Sequence, residues 1–157
     1  MPRKTQDRGR DAGVVLKGAT WFCRACFAIV FIVNVQCAFG YVIAPDNFTG
    51  GFQLSGIEGA AAVQGLGIAF LMWNATYPAF IVSPLRFRVL GIIVLVQQMI
   101  GLIGESMLYF SLPVGYAQLS QSILRFIQFD AVGLILMLIS FVALCVCSRT
   151  CKASCNR

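Results

Sequence analysis

VLGIIVLVQQMIGLIGESMLYF, residues 89–110, and SILRFIQFDAVGLILMLISFVALCVC, residues 122–147, decide the fold. Each is an apolar run long enough to cross a bilayer as a helix, which takes about 20 residues. The uncharged Ser111–Gln121 turn joins them into a hairpin. Charge sits inside both runs: Glu105 in the first, Arg125 and Asp130 in the second. Ionised groups in hydrocarbon are costly and need partners. Counted from the shared turn at 1.5 Å per residue, Glu105 and Arg125 both fall about 8 Å below one membrane face. Their opposite charges at matched depth predict an ion pair.

A second rung of amides is expected beneath that pair. Gln98 lies one heptad before Glu105 and shares its face. Gln121 and Gln128 flank Arg125 at helical spacing. Gln98 and Gln128 then complete a polar ladder of interhelical hydrogen bonds. Such a ladder serves either as a structural lock or as part of a working site, and both readings stay open. Asp130 stands about 140° round the helix from Arg125, outside the ladder. It faces another helix, a cavity or lipid, and lipid is the most costly of the three.

The rest of the chain repeats the pattern. It is 59% hydrophobic and 11% charged, with mean hydropathy +0.82. Soluble domains carry about 25% charge. One transmembrane domain over residues 1–157 is expected: an all-α four-helix bundle with spans at about 19–43, 59–82, 89–110 and 122–147, and tails 1–18 and 148–157. The polar stretch Met1–Gly13 reads as a tail before an uncleaved signal-anchor helix. Lys17 and Trp21 mark the entry to the first span, and Arg24 is close enough to that end to snorkel. Ala44-Pro45-Asp46 ends it. The Pro45–Glu58 loop is the one place for a short strand or re-entrant turn. Within it, Ser55-Gly-Ile-Glu58 is a capping-box pattern that predicts the start of the next helix. Ala61, Gly65 and Ala69 form a small-residue stripe suited to close helix packing. Pro78 frees the carbonyl of Asn74 and predicts a kink. A polar cavity near Asn74 and Thr76 would satisfy that carbonyl, and so would a kink closed by the Thr76 hydroxyl.

Lys and Arg gather in the N-terminal tail, at Arg86 and Arg88, and in the C-terminal tail. The other two loops have none. The alternation predicts an integral, multi-pass protein with both termini cytoplasmic. The net charge of +6 is met by this topology and by anionic headgroups. No aromatic-interleaved basic face points to nucleic acid.

There is no histidine, which removes His-based acid–base and metal chemistry. Six of the seven cysteines fall at the expected cytoplasmic side, the wrong compartment for stable disulfides. Their spacing matches no strong metal motif. They read as small apolar residues, with acylation beside the basic residues and a metal site as the other readings. No metal ligand and no cofactor is expected. Asn47-Phe-Thr49 is a glycosylation sequon on the outer loop. No nucleotide, phosphate-loop or serine-elbow motif occurs.

The Pro-containing first outer loop, the run Gly59-Ala-Ala-Ala-Val-Gln-Gly-Leu-Gly-Ile-Ala69 and the Arg86-Phe-Arg88 stretch resemble the DoxX-like small membrane proteins. That resemblance implies a four-helix bundle, with some members linked to quinone or thiol redox systems. It supplies no catalytic residue.

Three functions are expected in order. The first is a non-enzymatic protein with a polar interior that binds a small or lipidic ligand or acts as an accessory subunit. Asp130 anchors its site, Asn34 is its first partner by depth, and Asn74 and Thr76 line the inner half. The second is a channel, transporter or proton path through Asp130 and Glu105. The third is a quinone- or thiol-linked redox protein. Membrane lipids are partners in all three, and a homo-oligomer or a membrane complex is compatible with each.

Overall fold

The computed structural model describes the backbone from Arg3 to Cys155 and side chains from residue 13 to residue 153. The charged side chains of the first eleven residues, with Cys155 and Arg157, lie outside the described ones. Helix α1 runs Arg3–Ile43, so the expected tail is helical and continuous with the first span. After Pro45 come a short helix α2 (Asp46–Thr49) and a 3-10 turn (Gly50–Phe52). Then follow α3 (Gly56–Asn74), α4 (Tyr77–Val82), α5 (Arg88–Ser111) and α6 (Ala117–Cys155). The fold is all-α, with no strand among the described residues. Four helical stretches are long and apolar enough to span a membrane: Gly13–Ile43, Gly56–Val82, Arg88–Ser111 and Ala117–Ala153.

The Pro45–Glu58 connection therefore forms helical turns rather than a strand. Gln53 (φ 52°) and Gly56 (φ 69°) both take left-handed conformations to reverse the chain. Such a φ is cheap for glycine and unusual for glutamine. Ser55 does stand at the N-cap of α3, in extended conformation, but its side chain makes no capping bond. The capping pattern marked the helix start without supplying the expected contact.

Pro78 acts as expected. It has no N–H for the carbonyl of Asn74, and the helix breaks at Ala75–Thr76 before restarting as α4. Beyond this break the two halves part company. Helix α3 packs along α1, whereas α4 packs on both α1 and α5. Helix α5 packs along α6, and α6 along α1. Helices α3 and α5 do not pack on one another in any substantial way.

Two glycines set the close approaches. A Cβ on Gly67 would lie 2.8 Å from the Ala38 carbonyl oxygen and 2.8 Å from Tyr41 Cβ. A Cβ on Gly91 would lie 2.5 Å from a Phe80 ring carbon and 2.7 Å from one of Phe141. The packing face of α3 is thus Gly59, Val63, Gly67 and Asn74, all buried. The expected stripe Ala61–Gly65–Ala69 points outward, and nothing lies within 4 Å of a Cβ at Gly65. A four-residue spacing identifies a face of small residues but does not say which face meets a neighbour.

The apolar core sits at the end of the bundle that carries the chain termini. Cys23, Phe27, Tyr77, Phe80, Val94, Met137 and Leu144 are sealed there. Phe27 and Phe80 pack with ring centroids 4.4 Å apart. Two arginines lace the same end. Arg24 donates from Nη2 to the carbonyl of Val82, the last residue of α4, where a cation also meets the negative end of the helix dipole. It also lies over the Trp21 ring, 5.0 Å from the centroid. Arg88 donates to Ser148 Oγ on α6. Arg24 is thus bound to a helix end.

Candidate functional site

At the opposite end the helices enclose a half-open cavity of about 520 Å³. Its roof is the α2 and 3-10 connection, strapped onto the start of α6. Ser122 Oγ donates to the Gly51 carbonyl at 2.7 Å, and the Leu119 N–H donates to Gln53 Oε1 at 3.1 Å. Aromatic rings carry the packing beneath the strap. Tyr41 meets Phe48 edge-on at 4.7 Å, and Phe52 stacks on Phe126 at 6.3 Å. Its walls include α3 and α5, which do not pack substantially on one another.

The floor is polar. Gln98 on α5 is 2% exposed. Its Nε2 donates to Asp130 Oδ1 on α6 at 2.7 Å. Its Oε1 accepts from the Tyr77 hydroxyl on α4 at 3.3 Å. One amide therefore ties three helices together at the bottom of the cavity. Asp130 Oδ2 faces Gly101, where an added Cβ would stand 2.8 Å from that oxygen and 3.4 Å from the Trp73 ring. Only a glycine leaves room for the carboxylate and the indole to approach.

This arrangement corrects the expected ladder. Gln98 bonds Asp130, not Gln128, and Gln128 is exposed on the bundle surface. The reason is the face: Gln128 and Asp130 are two residues apart, about 200° round α6, so when one turns inward the other turns outward. Helix α6 begins at Ala117, five residues before the expected start. Gln98 lies thirteen residues from the end of α5, and Asp130 thirteen from the start of α6. Both therefore sit about 20 Å from the shared turn. Arg125 and Asp130 both line the cavity despite the 140° between them, so Asp130 belongs to the polar rung from which that angle had excluded it.

The Glu105–Arg125 ion pair is not closed. Both residues line the cavity, but Glu105 Oε2 is buried without a hydrogen-bond partner and Arg125 is exposed. From the observed ends, Arg125 is two residues deeper than Glu105, an offset of about 3 Å. They line the same cavity without touching.

Asn34 and Asn74 both line the cavity, and Thr76 does not. Asn34 is not the residue bonded to Asp130; Gln98 takes that place. Thr76 lies past the helix break and donates to Gln97 Oε1 at 3.4 Å. Asn74 is 4% exposed. Its Nδ2 donates to the Phe70 carbonyl at 2.8 Å, and its Oδ1 has no partner.

Several lining residues were not singled out from the sequence: Cys37, Tyr41, Phe70, Trp73, Gly101 and Phe126. Gly101 carried a signal, being three residues after Gln98 and four before Glu105, on one helical stripe. The aromatic residues carried none, since any lipid-facing ring gives the same pattern. Cys23, Cys26, Cys145, Cys147 and Cys151 are free, and Cys23 packs in the apolar core. Among the described residues, no three His, Cys, Asp or Glu side chains come together as a metal site.

Compared with known proteins, the chain matches no family model, no curated protein and no solved structure.

Proposed function

We propose that this is a multi-pass membrane protein with both termini in the cytoplasm, and that its blind polar cavity binds a small amphipathic or lipidic ligand without transforming it. Large apolar side chains are exposed along the bundle from Val14 to Val146, far more than the scattered patches of a soluble monomer. Lipid tails would cover them. The Lys and Arg alternation supplies the orientation. The gap between α3 and α5 would then open the cavity sideways to the bilayer, in the leaflet away from the termini. The likeness to DoxX-like proteins is compatible with such a bundle, and no residue role is drawn from it. Assembly with a second copy or a larger complex remains compatible with this reading.

The observation that carries the proposal is a cavity with orphan polar atoms above a dry plug. Asn74 Oδ1 and Glu105 Oε2 are both without partners, and buried polar groups are costly to leave unsatisfied. Beneath them, Phe27, Phe80, Val94, Met137 and Leu144 close the bundle. A pathway through Asp130 has no wet exit there, which favours binding over conduction. The redox reading loses its support for a similar reason, since Cys23 is packed inside that plug rather than beside a pocket.

Native mass spectrometry tests this on protein carried in nanodiscs formed from its own membrane. Wild type should retain a non-covalent small-molecule or lipid adduct. Gly101→Val, which fills the floor, should lose it while keeping its helical circular dichroism. Wild type free of adduct, or an adduct retained equally by folded Gly101→Val, contradicts the reading.

A further inference from the structure

We propose that the cavity floor receives a primary ammonium group, so that the ligand class is an amphiphilic amine with an apolar or aromatic body. This rests on the ligand-binding reading above and adds the chemistry of the headgroup. Two unused acceptors stand at the floor, Asp130 Oδ2 and Asn74 Oδ1. Asp130 Oδ1 takes the Gln98 amide, and Oδ2 borders the space over Gly101. Asn74 is almost wholly buried, gives one amide N–H to Phe70 and has an unpartnered Oδ1. One Gln98 N–H is committed to Asp130 and the Tyr77 hydroxyl to Gln98, while the Asn34 amide, which also lines the cavity, can donate or accept.

Charge points the same way. Two carboxylates and one guanidinium line the cavity. Arg125 is five residues before Asp130 on α6, about 7.5 Å nearer the turn that joins α5 to α6. Asp130 is left deep in the site with a single neutral amide as its donor. A buried carboxylate so poorly compensated calls for a cation. A primary ammonium brings three N–H donors on a compact head, which suits two carbonyl-type acceptors. A quaternary ammonium brings none. Trp73, Phe70 and Phe129 line the surrounding wall, and aromatic faces attract cations as well as apolar chains.

The test uses the full chain in phosphatidylcholine nanodiscs, whose lipid heads carry no N–H donor. Trp21 and Trp73 are the two tryptophans, so Trp21→Phe leaves Trp73 as the sole reporter at the site. Three probes are titrated: 2-phenylethylamine, its alcohol analogue 2-phenylethanol, and its N,N,N-trimethyl derivative. The amine should change Trp73 emission saturably, at least tenfold more tightly than the other two. Asp130→Asn should weaken the amine tenfold or more, and Asn74→Leu, as an independent variant, should weaken it several-fold. Equal binding of amine and alcohol means a protonated, uncharged Asp130 and overturns the ammonium assignment, though it leaves a ligand-binding cavity. Equal binding of the trimethyl derivative overturns the role of N–H donation. Saturation by none of the three also overturns the assignment, and the adduct experiment then judges the cavity separately.

Discussion

At the scale of single residues, Gln98 does most to shape the site. An amide can donate and accept at once, and here it does both, toward Asp130 and from Tyr77. Interhelical hydrogen bonds in membrane proteins couple by roughly 0.6 kcal/mol on average and up to about 1.7. The Gln98–Asp130 bond, short and deep, should fall in the upper half of that range. A double-mutant cycle with Gln98→Ala and Asp130→Ala, read by unfolding in mixed micelles, should give a coupling of about 1 kcal/mol. The parallel cycle with Glu105→Gln and Arg125→Gln should give less than half as much, because that pair is open. A larger coupling for Glu105 and Arg125 would reverse the assignment of partners.

At the scale of helices, contact depends on which small residue faces a neighbour. Gly67 touches α1 through the Ala38 backbone and the Tyr41 Cβ, neither of which can rotate away. Gly67→Ala should therefore destabilise by about 1–3 kcal/mol, the cost typical of overpacking. Gly65→Ala, two residues earlier and facing outward, should be neutral or stabilising by up to about 1 kcal/mol, through helix propensity. The same unfolding assay separates them, and equal losses would restore the Ala61–Gly65–Ala69 face as an interface. The sequence made the existence of these helices legible, because long apolar runs admit little else. Pro78 made the break legible, because a missing N–H is a local fact. Pairing across the hairpin was not legible. It depended on which face of α6 turns inward, and Gln128 and Asp130, both polar and two residues apart, are equally plausible in the sequence although they lie about 200° apart on the helix.

At the scale of the whole molecule, the bundle divides into a sealed apolar half and a half that encloses a cavity with a polar floor. The plug around Phe27 and Phe80 joins α1, α4, α5 and α6, while the strap from α2 to α6 roofs the cavity. The proposed orientation is testable: with both termini cytoplasmic, a membrane-impermeant maleimide should leave Cys151 unmodified in intact cells and modify it in inverted vesicles. Modification in intact cells would turn the bundle over. Cavity residues came from all four long helices, and no single stretch of sequence contains enough of them to announce a site. The most direct measurement compares two native thiols on α1. Cys37 lines the cavity, and Cys23 is 0% exposed in the plug. Peptide-resolved alkylation of the wild-type chain in lipid by N-ethylmaleimide should modify Cys37 at least tenfold faster than Cys23. Equal rates, or a faster Cys23, would contradict an open polar cavity above a sealed apolar floor.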